Sequence, residues 1–365
     1  MAFNLSNIVR VFSGKKTHTP RGAVMGVDIG SSAIKVVQLH MEKGVPTLDT
    51  YGEMQLAPYA GMDIGRTVSL PVDKLIEAFV DIVRESSVTS TDVALAISYS
   101  ASFATIVPIP TTNPEEISSR ISVEARKYIP VPLNEVTLDW FPVVTRAETS
   151  ETKILLAAIY TDVLNKYETI IRGSKLNLRL NEIEVFSLIR SSVSQKDDVV
   201  AVVDLGAGST KIYIAHKGVL VQTHSLRMSG TELTSTIAGA AGVDFKMAER
   251  LKREYGLGVY PEYPSVQKLL AATVERGFQE LHKVMMRFSE EEHLRVDKVI
   301  LSGNGALTKG ITRFAQDILQ VPAVNATPFS KVAYPAFLED TLTEAGPAFA
   351  VAIGAALRAL MQENS

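Results

Sequence analysis

One repeated unit constrains this chain more than any other feature. Residues 24–38, VMGVDIGSSAIKVVQ, and 200–214, VAVVDLGAGSTKIYI, share an aspartate, a glycine two residues on and a lysine seven residues on. The pairs are Asp28 with Asp204, Gly30 with Gly206 and Lys35 with Lys211, at a constant offset of 176. Each copy then reaches a Lys-Gly turn, Lys43-Gly44 and Lys217-Gly218, before another extended run. A single Asp-x-Gly turn is an ordinary hairpin, because Asp and Gly are favoured turn residues. Two copies that also share the lysine predict two lobes, each opening with a strand–Gly-loop–strand unit.

The chain is long enough for that: 365 residues with 46% hydrophobic content support about two domains with real cores. Lys and Arg number 37 against 40 Asp and Glu, so no overall field favours nucleic acid or an acidic membrane as the main ligand. Without cysteine there are no disulfides, thiolate nucleophiles or Cys-based zinc sites, and the six histidines show no ligand spacing. The opening MAFNLSNIVRVFSGKK lacks the apolar core of a secretory signal. The most apolar segment, 348–357, is too short to cross ~30 Å of hydrocarbon and is expected to be a buried helix. A cytoplasmic location is the expectation.

Periodicity places the elements. Leu5, Ile8, Val9 and Phe12 fall at helical spacing beside Arg10, Lys15 and Lys16, which predicts a short basic amphipathic leader over 1–20, either loosely packed or docked on a partner or membrane. Strands at 24–29, 33–40 and 47–56 are expected to form a small antiparallel sheet, followed by a helix over 72–85 and strands at 93–99 and 104–109. Asn113-Pro114-Glu115-Glu116 is an N-cap with proline in the first turn, and Ile117, Ile121, Ala125 and Tyr128 give its helix an apolar stripe until Pro130 and Pro132. Strands at 136–144 and 153–159 complete a strand–helix–two-strand unit. Helices over 162–174 and 184–194 bracket a strand at 178–183, and the polar run 195–198 reads as the crossing between lobes. Helices over 230–241, 245–255 and 265–288 follow the second Gly-loop unit. A strand at 299–301 feeds a third Gly-loop, Ser302-Gly303-Asn304-Gly305-Ala306, before a helix over 310–319 and a strand at 322–326. Residues 327–343 read as irregular and 347–361 as the closing helix. The expected division is a first lobe of 21–92 with 161–198, an insert of 93–160, a second lobe of 199–230 with 298–365, and a helical subdomain of 231–297.

Gly and Ser turns let backbone N–H groups approach phosphate oxygens without side chains in the way. Gly30, Ser31, Ser32, Gly206, Gly208, Ser209 and Thr210 supply such turns and their hydroxyl donors. Asp28 and Asp204 repel phosphate directly but suit a hydrated Mg²⁺ that bridges to it, and Lys35 suits the phosphates as a point charge. No Walker or Rossmann glycine pattern occurs.

The order of 24–39, 200–215, 298–310 and 346–357 resembles the superfamily of actin, sugar kinases and heat-shock ATPases. SVEARKYIPVPL and the unit around it resemble the cell-division protein FtsA and, more closely, the PilM family, actin-like proteins of type IV pilus assembly. The resemblance implies an α/β, two-lobed actin-like ATPase fold closing on ATP and Mg²⁺, with the β-α-β-β insert in place of the actin-type second subdomain. It implies that Asp28 and Asp204 organise the metal and that Glu184, near the attacking water, is the general-base candidate. Glu249 and Lys252 match the pair touching ribose and adenine, and Gly303, Asn304 and Gly305 the adenosine loop, where SGNG replaces the commoner GGG. The implied role is a scaffold with weak or no ATPase activity. It would bind the cytoplasmic N-terminal tail of a PilN-type inner-membrane protein between the first lobe and the insert, meet other pilus assembly proteins, reach the membrane through partners, and form an oligomer or ring. Residues 128–133 read either as insert core or as contact surface. Two alternatives remain: a small-molecule kinase with Asp204 as base, and an FtsA-like filament-forming tether, which calls for an amphipathic helix beyond 361–365.

Overall fold

The two Gly-loop units lie at the centres of two mixed sheets in the computed structural model, which describes residues 9–13, 19–20, 22–146 and 151–362. Elements of the first half are β1 (Val9–Ser13), β2 (Val24–Ile29), β3 (Ala33–Glu42), β4 (Val45–Gln55), α1 (Val72–Glu85), β5 (Asp92–Ile97), β6 (Ser102–Ile109), α2 (Pro114–Ala125), β7 (Val136–Arg146), β8 (Glu151–Tyr160), α3 (Thr161–Gly173), β9 (Asn177–Ile183) and α4 (Glu184–Ser192). Those of the second are β10 (Val199–Leu205), β11 (Thr210–His216), β12 (Val219–Leu226), α5 (Gly230–Ala241), α6 (Phe245–Tyr255), α7 (Pro264–Glu292), β13 (Lys298–Ser302), α8 (Ile311–Leu319), β14 (Ala323–Asn325) and α9 (Glu339–Gln362).

The sheets run β1-β4-β3-β2-β5-β9 and β12-β11-β10-β13-β14. In each, an antiparallel meander made from the Gly-loop unit continues into two parallel strands. The register repeats too: Asp28 lies opposite Lys35, and Asp204 opposite Lys211. This is the duplicated α/β architecture expected, with the insert forming a third sheet, β6-β8-β7, backed by α2. Asn113 caps α2 by accepting from the Glu115 N–H at 3.0 Å. Ile129 is buried in the insert core and Tyr128 packs against it, so this part of 128–133 is core.

The structure corrects four local expectations. Val9–Ser13 is a strand rather than part of a helix, with Val9 opposite Met54. Its VRVF suits a strand as well as a helix, and antiparallel pairing along β4 decides the matter; the rest of the leader lies outside the described residues. The three strands 24–29, 33–40 and 47–56 do not stand alone, because β5 and β9 extend their sheet. β5 therefore belongs with that sheet and not with the insert: a parallel strand joins β2 only after a crossover, here through α1, so chain adjacency to β6 misleads. Finally, α9 begins at Glu339, two turns before Pro347. Proline is favoured in a first turn and costly inside a helix, but Leu342, Ala345 and Gly346 in the early turns are buried. The Pro347 carbonyl also accepts from the Gly303 N–H at 2.8 Å and Ser302 Oγ at 3.0 Å.

α9 is apolar and long enough to cross a membrane by length and composition, yet 83% of that stretch is buried inside the protein. It packs on β2 and α4 where only glycine permits the approach: a Cβ on Gly26 would strike the Ala352 carbonyl, and one on Gly354 the Ser187 carbonyl. Val24 and Val37 of the first sheet, Val200 and Val202 of the second, and Phe349 of α9 share one core. That shared core holds the three Gly-loops at fixed separations around a cleft.

Candidate functional site: a cleft between two duplicated turns

The β2–β3 turn, the β10–β11 turn and the loop after β13 meet around a cavity of about 360 Å³. Asp28, Gly30, Ser31, Ser32 and Lys35 line it from one side, Asp204, Gly206, Gly208 and Ser209 from the other, with Glu184, Lys211, Gly303 and Asn304. Glu249, Lys252 and Gly305 line a neighbouring cavity of about 270 Å³. Ser32, Gly206, Ala207 and Asn304 border both. Thr210 is the exception among the expected residues: it opens β11, is 1% exposed and lines neither cavity. Gly303 has φ 79°, and a Cβ there would lie 2.7 Å from Asp204 Oδ1, so the third loop can press on this aspartate only as glycine.

The larger cavity is lined by three carboxylates, Asp28, Glu184 and Asp204, and by three ammonium groups, Lys35, Lys211 and the exposed Lys166. Lys35 lies 3.8 Å from Asp28, and Lys211 bonds Glu184 at 2.5 Å. Glu184 Oε1 also accepts from the Tyr99 N–H at 2.8 Å and the Tyr213 hydroxyl at 3.5 Å. Burial pushes Asp28 up to about 6, against the pull of Lys35 and helped by Glu184 and Asp204. Burial likewise raises Asp204, opposed by Lys211 and helped by Glu184. Burial disfavours the Lys211 charge too, but Glu184 and Asp204 outweigh it and hold the ammonium above the usual lysine range. Lys211 is bonded to Glu184, and burial works against the charges of both Asp28 and Asp204, so a cation between these two would relieve that cost. Among the described residues no three Asp, Glu or His side chains converge as direct ligands. Two facing carboxylates suit Mg²⁺, which keeps several waters and takes its remaining oxygens from phosphate.

The second cavity is more tightly tied. Glu249 bonds Lys252 at 2.6 Å, Arg253 at 2.8 Å and Thr234 Oγ1 at 2.7 Å. Burial lowers the Lys252 pKa, and Glu249 only partly offsets it. A first-lobe segment between β4 and α1 reaches across here: Gly65 O accepts from Thr231 Oγ1 at 3.3 Å, and the Arg66 guanidinium sits 4.0 Å from the Phe245 ring centroid. Glu53, Gln55, Tyr99, Lys166 and Tyr167 were not singled out in the sequence. Glu53 had a signal, since pairing β3 with β4 in register sets it opposite Lys35. Tyr99 had none: its role follows from where the β5–β6 turn lands.

The model of the family described as "Type IV pilus assembly protein PilM" matches residues 26–360. The chain belongs to the PilM family. Of solved structures, one of a PilM-PilN type IV pilus biogenesis complex superposes with a TM-score of 0.79 at 25% identity, covering 92% of this chain and 98% of that one. MreB5 of Spiroplasma citri bound to ADP shares the fold, with a TM-score of 0.51 at 13% identity, covering 94% and 99%. FtsA of Pseudomonas aeruginosa is 28% identical over 156 residues, 37% of each chain, and FtsA of Enterococcus faecalis 23% identical over 349 residues, 82% of this chain and 77% of its own. The match to the first of these FtsA proteins thus spans well under half of its length. An actin-like fold and a place among type IV pilus assembly proteins follow from family membership.

Proposed function

We infer that this chain is a nucleotide-dependent scaffold of the pilus assembly machinery, taking ATP with Mg²⁺ in the cleft and the cytoplasmic N-terminal peptide of a PilN-type membrane protein beside the insert. The observation that carries the nucleotide half is the convergence of Asp28 and Asp204, from duplicated turns, on one cavity with three Gly-loops. In this reading both aspartates hold waters of the magnesium ion, and the turn N–H groups with Ser31, Ser32 and Ser209 take the phosphates. Lys35 adds a point charge; Gly303, Asn304, Gly305, Glu249 and Lys252 surround the nucleoside. Mg²⁺, when bound, would neutralise phosphate charge. Glu184 would be the base for an attacking water in this reading, but its Oε1 already accepts from Lys211, Tyr99 and Tyr213. These three donors compete with a water for Glu184, which favours slow turnover or none.

The partner half draws on the similarity to the PilM of a PilM-PilN complex and on Tyr99. Its N–H bonds the cleft carboxylate Glu184, while its hydroxyl meets Thr223 Oγ1 at 2.8 Å and Ala104 O of β6 at 3.4 Å. Cleft, insert and second lobe thus share one residue, through which nucleotide occupancy would shift the population of peptide-binding conformations. Attachment to the inner face of the inner membrane, other pilus proteins and a ring or oligomer belong to the same proposal. Calorimetric titration tests it: Mg-ATP should bind the wild type and bind Asp28→Ala and Asp204→Ala far more weakly, and a PilN-type N-terminal peptide should bind with an affinity that Mg-ATP changes. Equal Mg-ATP binding by all three proteins would make the turns mere hairpins, and no peptide binding in either state would remove the scaffold role.

A further inference from the structure

A polar tie stands between the two cavities. Asn304 donates from Nδ2 to Glu53 Oε1 at 2.5 Å, joining the loop after β13 in the second sheet to β4 in the first. Glu53 is 7% exposed, the same Oε1 accepts from Gln55 Nε2 at 3.0 Å, and Lys35 lies opposite it across the strand pair. Glu53 Oε1 is the acceptor in both bonds, so the amide of Asn304 has its NH₂ side towards Glu53. Asn304 Oδ1 is then left buried with no hydrogen-bond partner among the described residues. A buried unpaired acceptor makes this arrangement less stable than a fully satisfied one, and native proteins keep few of them. Asn304 also borders both cavities. A ligand with phosphates in one and a nucleoside in the other must pass it.

We propose that the Glu53–Asn304 pair is a gate on the cleft: it ties the lobes together when no nucleotide is bound, and a nucleotide spanning both cavities displaces it. This rests on the proposal that the cleft takes a nucleotide. Ribose hydroxyls are donors, so one of them can replace the Asn304 amide at Glu53 without leaving that carboxylate bare. The closed tie lowers apparent affinity by the fraction of molecules in which it is open. One charge-assisted hydrogen bond across the cleft makes that reduction about tenfold or more.

The test uses the full chain and the Asn304→Ala and Glu53→Gln variants. Residue 304 is not at positive φ, so alanine keeps the loop backbone. Calorimetry should show Asn304→Ala binding Mg-ATP about tenfold more tightly than wild type. Glu53→Gln, which still offers an acceptor to Asn304, should fall between them. Without nucleotide, amide exchange at 52–55 and 303–306 should be faster in Asn304→Ala than in wild type. Equal or weaker Mg-ATP binding by Asn304→Ala overturns the gate and leaves the nucleotide reading standing. Equal exchange in the nucleotide-free proteins overturns the tie without reference to any ligand. Absence of Mg-ATP binding in both wild type and Asn304→Ala sinks the nucleotide reading, and the gate with it.

Discussion

Replacing Asp28 with asparagine should stabilise the nucleotide-free protein while abolishing its response to Mg-ATP. Asp28 has a folded-state pKa of about 6 against an ordinary 3.8, with the attraction of Lys35 already counted. That gap corresponds to about 3 kcal/mol of penalty for burying the carboxylate. For an acid raised in this way the penalty is absent below 3.8, grows as pH rises through the interval, and is complete above 6. The side chain is 14% exposed to the cleft, so 3 kcal/mol is a ceiling. Asparagine keeps the shape and removes the charge. With an unfolding entropy of about 2.1 cal/mol/K per residue, a chain of 365 residues gains up to about 4 °C in Tm at pH 7.5, and about half that at pH 5. Differential scanning fluorimetry in EDTA without nucleotide measures the first effect, and the same scan with Mg-ATP the second: wild type shifts upward and the variant does not. A variant no more stable than wild type at pH 7.5, or equally stabilised at both pH values, would refute the argument that burial of this charge is a cost held in reserve for a cation.

Three further outcomes are expected. Gly354→Ala places a Cβ against the Ser187 carbonyl of α4 and should destabilise the fold by about 3 kcal/mol in urea unfolding, with no change in m-value. Arg66→Ala removes the guanidinium that sits over Phe245; a loss of about 1 kcal/mol from this lobe-to-lobe contact should speed release of a fluorescent ATP analogue about fivefold in a chase experiment, leaving the global Tm within a degree or two. Tyr99→Phe keeps the ring and its N–H bond to Glu184 but loses the hydroxyl contacts to Thr223 and Ala104; Mg-ATP affinity should hold, while the Mg-ATP dependence of PilN-type peptide binding, read by calorimetry, should fall severalfold.

What was legible in the sequence was whatever repeats or caps locally. The shared Asp, Gly and Lys predict opposite walls of one cleft for Asp28 and Asp204, and both line one cavity, because each strand–turn–strand unit carries its own geometry with it. The helices over 72–85, 230–241 and 245–255 appear with the expected bounds. What was illegible depends on partners distant in the chain. β1 is a strand because it pairs along β4, and β5 joins the first sheet because β2 and β9 flank it. Pro347 sits inside α9 because the third Gly-loop uses its carbonyl. Thr210 reads as a loop hydroxyl, yet one residue decides whether it belongs to the turn or to β11, and alternation along that strand turns it inward. The same logic locates the site residues missed. Lys35 pairs with Asp28 on one side and faces Glu53 on the other, so the charged row across β2, β3 and β4 is a consequence of register. The second copy lacks it, since Lys211 faces Ser225 of β12. The duplicated halves are therefore chemically unequal at this third strand, and the carboxylate that only the first half carries is the one that reaches across to Asn304. Symmetry of the repeat explains the pair of cleft aspartates; its breaking at Glu53 explains why the two lobes are tied on one side of the cleft.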